Sequence, residues 1–484
     1  MLYLSIDYLI VYAFLAITLY IGLRAGKGVK DIRDYAIANK SFGTGALTLT
    51  LLATYIAGDS VIGDAGIAYS SGIILAVALL AVSISFIITG IFIAPKAVQF
   101  DNCLTMGDLM KEFYGRHSGI VAGVLGILNA VVYIGMGLHV QGIICESLLN
   151  IPASWGVILG GLLLAAYTAH GGIKSVVTTD IFQFIILVIF IPLIAYKALG
   201  KIGGIQELFQ QVPADKLEIF HHKDFSFYLT LFLMWIIPAG MVDPAMIQRL
   251  LMGKTGSQLR NQYLVIAAFD PFFRILIMLI GLSAVVLYPN IESQQVVPHL
   301  IHNLLPIGVK GLAIAGLLAV NMSTIDSYLH AAGLALVHDV IRPIYEQKNK
   351  LINEVKWAKY ATILVSIAGI YIGLKATDLI GLYLTSLELI SPLLMFPLFS
   401  AMMGLKANKQ EFYVAFVITI VAFVLAKLAL PDMYSHFTIL ITMATNGISF
   451  FGLHLIRNKG FVIANRPTGE ATTWQPRKKV IFNR

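Results

Sequence analysis

In lipid, backbone N–H and C=O groups must find partners within the protein, so a spanning segment is helical unless an enclosed cavity shelters a break in it. Residues 52–66 (LATYIAGDSVIGDAG) and 234–248 (MWIIPAGMVDPAMIQ) carry such breaks. Each lies in a stretch long enough to cross a bilayer, yet sets glycine or proline beside aspartate. The first holds Gly58, Gly63 and Gly66 with Asp59 and Asp64; the second holds Pro238, Gly240 and Pro244 with Asp243. Proline removes a backbone donor and glycine tolerates unwound geometry. A matched pair, one in each half of the chain, points to a mid-membrane binding site of the kind found in secondary carriers.

The rest of the chain supplies the membrane. Of its 484 residues 58% are hydrophobic and 12% charged, with a mean hydropathy of +0.82, where soluble domains carry about 25% charge. The expected fold class is an all-α polytopic membrane protein. Windows of about 20 apolar residues give thirteen spans: 8–24, 43–70, 73–95, 119–147, 153–169, 175–199, 226–249, 257–288, 309–341, 356–375, 377–404, 411–430 and 434–456. Loops rich in lysine and arginine stay in the cytoplasm. An outside N-terminus places 26 of the 34 basic residues on or next to the inner side, including Arg249, and seven outside. The expectation is a multi-pass protein of the plasma (inner) membrane with a cytoplasmic C-terminus. The net charge of +8 is then topology, and no nucleic-acid partner is needed. Met1–Asp7 lacks a basic n-region, so the first helix reads as retained. Cys103 and Cys145 fall near opposite faces and cannot pair.

Equating the two breaks divides the chain into a leading helix (8–24), five helices (43–199), five more (226–404), two trailing helices (411–456) and a tail (457–484). An odd number of helices per unit makes the second unit start from the opposite side, which is a 5+5 inverted repeat. The loop 200–225 and the tail are too short for a catalytic domain, so neither an enzyme nor an organic cofactor is expected. No obligatory protein partner is evident.

A charge at the centre of a span costs about 2.5–3.5 kcal/mol or more, so it faces a cavity or a partner. Asp59, Asp64, Asp180, Asp243, Asp270, Arg274, Asp326 and Glu388 are the candidates. Asp270 and Arg274, four apart on one helix, neutralise each other. Asp59 and Asp243 belong to the breaks and favour a cation or the ammonium of a zwitterion. Asp64, near the outer mouth, reads as a half-helix cap. In the run 321–327 (NMSTIDS), Ser323 and Thr324 offer hydroxyl ligands for a small hard cation together with a carbonyl one turn earlier. Either hydroxyl could instead bond back to its own helix. In 171–183 (GGIKSVVTTDIFQ), Asp180 is read either as part of a cation exit route or as an anchor paired with Lys174.

These motifs bring a family into view. GGIKSVVTTDIFQ resembles the GG-x-x-A/S-V-x-x-T-D-x-x-Q signature of the sodium/solute symporter family, and VNMSTIDS is similar to its M-S-[ST]-x-x-S stretch on the eighth core helix. ATYIAGDSVIGDAGIAYSSG resembles the family's first core helix. The resemblance implies the leucine-transporter fold and sodium-driven uptake by alternating access. It implies a sodium site at the carbonyls of Ala53, Ile56 and Val320 and the hydroxyls of Ser323 and Thr324, with Asp180 on the ion pathway. Members handle proline, pantothenate, sugars, sialic acid and choline, so the cargo is left open. Tyr55 stands where some members carry an aspartate. Within the family, TMGDLMKEFYGRHSG and GLYLTSLELI resemble the choline-transporting branch. That alignment implies cage aromatics at Tyr55 and Tyr133, suited to a quaternary ammonium, with Trp235 and Tyr383 as further lining; Asp243 replaces the branch's tryptophan.

The expected function is sodium-coupled symport of a small polar solute, a cation or zwitterion such as a choline-like amine or an amino acid. The alternatives are proton coupling through Asp59 and Asp180, a channel, and a transporter-like sensor. MGKT at 252–255 lacks the upstream glycine of a phosphate loop, which removes an ATP-driven machine.

Overall fold

The computed structural model describes residues 5–56, 60–236, 242–375, 379–405, 407–431 and 436–464, with the side chains of 379, 380, 383 and 458–464 set aside. All regular structure among the described residues is helical. In chain order the α-helices are α1 (Ile6–Ala25), α2 (Ile32–Ile37), α3 (Thr44–Tyr55), α4 (Ala65–Ser71), α5 (Leu75–Ile88), α6 (Met106–Tyr114), α7 (Arg116–Leu149), α8 (Ala153–Gly171), α9 (Ile173–Ile202) and α10 (Ile205–Gln211). They continue with α11 (Phe225–Ile236), α12 (Pro244–Leu251), α13 (Gly256–Leu287), α14 (Val296–Leu304), α15 (Val309–Ala335), α16 (Arg342–Gln347), α17 (Glu354–Lys375), α18 (Leu379–Met402), α19 (Lys409–Ala429) and α20 (Thr438–Ala464).

Eleven helical stretches among the described residues are long and apolar enough to cross a bilayer. The thirteen-span expectation differs at the broken segments, whose halves are short. Helix α3 stops at Tyr55, where Ile56 leaves helical geometry at φ −82°, ψ 82°. The chain is helical again from Ser60, through a π-helical turn (Ser60–Asp64) into α4. In the second half α11 ends at Ile236 and α12 opens at Pro244. Proline fits a first helical turn because its missing N–H has no intrahelical acceptor there.

The centre of the molecule is α15, packed against α7, α9, α17, α1 and α3. Its most apolar window is 94% buried, where α19 is 22% buried. Lipid-facing helices keep their apolar side chains outward, while α15 has no lipid face and can carry a polar run. Its start is held by Asp7 of α1, whose Oδ1 accepts from the Gly308 and Gly311 amides at 2.7 Å each. Chain reversal between α8 and α9 passes through Gly172 at φ +57°, where a Cβ would sit 2.6 Å from the Tyr35 carbonyl oxygen. Only glycine combines that backbone with that approach.

Candidate functional site

The hydroxyls of α15 meet the end of α3. Ser323 Oγ donates to the Ala53 carbonyl at 2.8 Å and lies 2.9 Å from its own Val320 carbonyl. Thr324 Oγ1 lies 3.1 Å from the Thr54 carbonyl and 3.4 Å from that of Val320. The two readings of these hydroxyls are therefore both present in the geometry. They bond back along α15 and also reach across to α3, whose last carbonyls have lost their helical successors at the break. Ala53, Val320, Ser323 and Thr324 come together. Ile56 stands at the helix end, 3% exposed. Three carbonyls and two hydroxyls form an all-oxygen donor set, the chemistry a hard cation requires.

One turn deeper runs a charged layer. Ser327 Oγ donates to the Ser323 carbonyl at 2.8 Å and lies 3.0 Å from Thr54 Oγ1. Arg249 of α12 reaches this layer: Nη2 contacts Ser327 Oγ and lies 3.2 Å from Asp180 Oδ2, and Nη1 donates to the Ala245 carbonyl at 3.0 Å. Thr50 of α3 also donates to Asp180 Oδ2. Both partners of this ion pair are fully buried, their side chains 0% exposed. Beside them Asp326 accepts from Tyr167 at 2.6 Å.

Two sequence expectations are corrected here. Lys174 pairs with Asp34 at 2.7 Å, so it is no anchor for Asp180. Arg249, counted among charges at the inner edge, is an interior residue. Sequence reasoning missed it because a lone arginine after an apolar run looks like a flanking charge; an uncompensated Asp180 was the available clue that a base had to lie nearby.

Toward the other side the site opens into a cavity of about 540 Å³ lined by both halves of the chain. Tyr55, Tyr133, Trp235, Asp243, Arg274 and Tyr328 contribute to its wall. Tyr133 stacks on Tyr328 with centroids 4.3 Å apart and planes 12° apart. Tyr55 meets Phe86 edge-on at 4.6 Å and lies under the Arg274 guanidinium at 5.4 Å. Asp243 caps α12, Oδ1 accepting from the Ala245 and Met246 amides at 2.8 and 3.0 Å, while Oδ2 accepts from the Tyr328 hydroxyl.

Asp64 corrects a further expectation. Its side chain makes no capping bond to α4 and instead lies 2.8 Å from Arg274 Nη1, while Arg274 Nε holds Asp270 at 2.8 Å. The Asp270–Arg274 pair expected from spacing is present, but Arg274 also walls the cavity, a role that Asp64, 210 positions away in sequence, hid. Asp59 and the side chain of Tyr383 lie outside the described residues.

The profile described as the sodium:solute symporter family matches residues 35–419. The chain belongs to that family. Among curated symporters it is similar to the sodium/glucose cotransporter of Vibrio parahaemolyticus, 24% identical over 401 residues that cover 75% of this chain and 74% of that protein. It is similar to the high-affinity proline transporter of Bacillus subtilis (strain 168), 21% identical over 378 residues, 75% of this chain and 79% of the relative. The high-affinity choline transporter 1 of Drosophila melanogaster is 23% identical, with 76% of this chain matching 62% of that protein.

Among solved structures, a Na⁺-coupled sialic acid symporter in a substrate-bound outward-open state superposes with a TM-score of 0.82 at 20% identity, covering 93% of this chain and 98% of that one. A nucleobase-cation-symport-1 family transporter in a closed conformation gives 0.61 at 14% identity, covering 89% and 95%. The symporter fold here is thus of the leucine-transporter type, and the family is one of integral membrane transporters rather than enzymes.

Proposed function

We propose that this symporter couples Na⁺ to the uptake of a small polar organic solute that carries a positively charged nitrogen, an amine or a zwitterionic amino acid, across the plasma membrane. One observation carries the reading: the Ser323 and Thr324 hydroxyls abut the terminal carbonyls of α3 directly beside the cavity. The oxygens of Ala53, Ile56, Val320, Ser323 and Thr324 would hold the ion, whose charge offsets the exposed carbonyl dipoles at the helix break. A cation bound there bridges α3 and α15 and fixes the position of Tyr55, which lies between Ala53 and Ile56 and forms part of the cavity wall. Ion binding then stabilises the conformation that receives cargo. Coupling follows from that difference, since a ligand that binds two states equally shifts nothing.

The cavity supports the cargo class through its charge. Among the described lining residues Asp64 and Asp243 set two carboxylates against the Arg274 guanidinium, which Asp270 also neutralises from behind the wall, and the stacked Tyr133 and Tyr328 faces attract a cation.

Uptake into proteoliposomes of choline, betaine, proline and other amino acids, each with a sodium gradient, a proton gradient or neither, tests the proposal. Concentrative uptake of at least one of them with sodium alone is expected. Accumulation driven only by protons, or of none, would overturn it. Alanine at both Ser323 and Thr324 should raise the sodium concentration for half-maximal uptake at least tenfold, corresponding to about 1.4 kcal/mol.

A further inference from the structure

A second cluster of ligand-type side chains lies where α6, the end of α15 and the start of α17 meet, on the side that the charge distribution assigns to the cytoplasm. Asp108, His338 and Asp339 each offer one ligand atom, all within 4.8 Å of one another. The cluster is about 14 residues along the chain from Thr324, which at 1.5 Å per helical residue is about 21 Å. It is a separate place from the ion and solute sites.

His338 sits between two carboxylates, and two features of Asp339 set the cluster apart from an ordinary ion-pair network. His338 Nε2 faces Asp108 Oδ2 at 2.8 Å while Nδ1 faces Glu354 Oε2 at 2.8 Å. Protonated on both nitrogens, the imidazole donates to both carboxylates; with only Nδ1–H donating to Glu354, its Nε2 lone pair faces Asp108, and a metal cation can take the place of the second proton. Asp339 is 5% exposed; its Oδ1 accepts from Thr105 at 2.6 Å, while Oδ2 is buried and has no hydrogen-bond partner. The Asp339 side chain is also walled in by glycines: a Cβ on Gly107 would lie 2.3 Å from its Cγ and one on Gly123 2.5 Å from its Cβ. Helices α6 and α7 thus bring bare backbone against this carboxylate.

We propose that Asp108, His338 and Asp339 form a binding site for a divalent transition-metal ion. One imidazole nitrogen and two carboxylates suit a borderline ion such as Zn²⁺. Tetrahedral ligands with bonds near 2.0–2.1 Å lie about 3.3 Å apart, so the 2.8 Å His338–Asp108 pair has to open by only about 0.5 Å to admit the ion. Glu354 orients the imidazole from its far nitrogen, as carboxylates do behind metal-bound histidines. Arg342, 3.2 Å from Glu354 Oε1, holds that carboxylate in turn. The two ligating carboxylates match the charge of the ion, and the bound ion ties α6 to the continuation of α15, with α17 joined through Glu354.

The test uses the full-length protein in detergent, with affinity tags removed, dialysed against micromolar Zn²⁺ in excess Na⁺ and analysed for metal by mass spectrometry. One Zn²⁺ per chain is expected, lost by Asp339→Asn and His338→Gln. Glu354→Gln should weaken binding 10–100-fold. Co²⁺ in place of Zn²⁺ should give visible absorption bands that disappear in His338→Gln and shift in Glu354→Gln, a shift that loss of fold alone would not mimic. If Asp339→Asn does not fold, Asp108→Asn serves in its place. Zn²⁺ uptake by the parent protein no greater than that of a folded ligand variant, or none, would overturn the proposal.

Discussion

Arg249 shows what one buried charge costs and provides. Removing one partner of a buried pair costs about 3–5 kcal/mol because the other is left uncompensated. Arg249→Met should therefore lower thermal stability strongly, and Asp180→Asn added to it should recover part of the loss. Additive losses in that double-mutant cycle would deny the pairing. Asp243 offers a sharper separation of roles. Asparagine caps helices about as well as aspartate, so Asp243→Asn should leave melting nearly unchanged while raising the KM for a cationic solute. Asp243→Ala should also lose about 1 kcal/mol of cap energy. An unchanged KM in Asp243→Asn would remove the carboxylate from cargo recognition. At this scale the sequence was only partly legible. Ser323, Thr324 and Ala53 come together as their motifs suggested, whereas Arg249 with Asp180 and Arg274 with Asp64 pair across 69 and 210 positions. No local pattern encodes such distances.

Helices were easier to read than contacts, because hydropathy reports on lipid and lipid surrounds nearly every span. The two interrupted segments were visible as glycine and proline beside aspartate. Where each half-helix ends was less so: the π-helical turn at Ser60–Asp64 and the capping of α12 by Asp243 rather than α4 by Asp64 depend on which amides the fold leaves unpaired. Tight connections are decided by close approach, and Gly172 is the clearest case. Gly172→Ala should destabilise by well over about 1 kcal/mol, since it adds a clash with Tyr35 to left-handed strain. Gly28 has φ +87° but nothing within 4 Å of a built Cβ, so Gly28→Ala should lose less. Equal melting of the two variants would show that the α2 contact does not constrain the turn.

For the whole molecule, the placement of lysine and arginine predicts which loops face the cell interior. In a background lacking Cys103 and Cys145, a cysteine at exposed Lys223 should react with a membrane-impermeant maleimide on intact cells, and one at exposed Lys350 only after permeabilisation. The reverse pattern would invert the assigned orientation. The hydroxyl contacts between α15 and α3 carry a last consequence for the resting carrier. Because Ser323 and Thr324 bond the α3 carbonyls themselves, an ion binding at the proposed site would have to displace partners already in place. If that proposal holds, the seam would stay stitched when sodium is scarce, so a carrier waiting for its ion would not gape, and the membrane around it would keep its gradient.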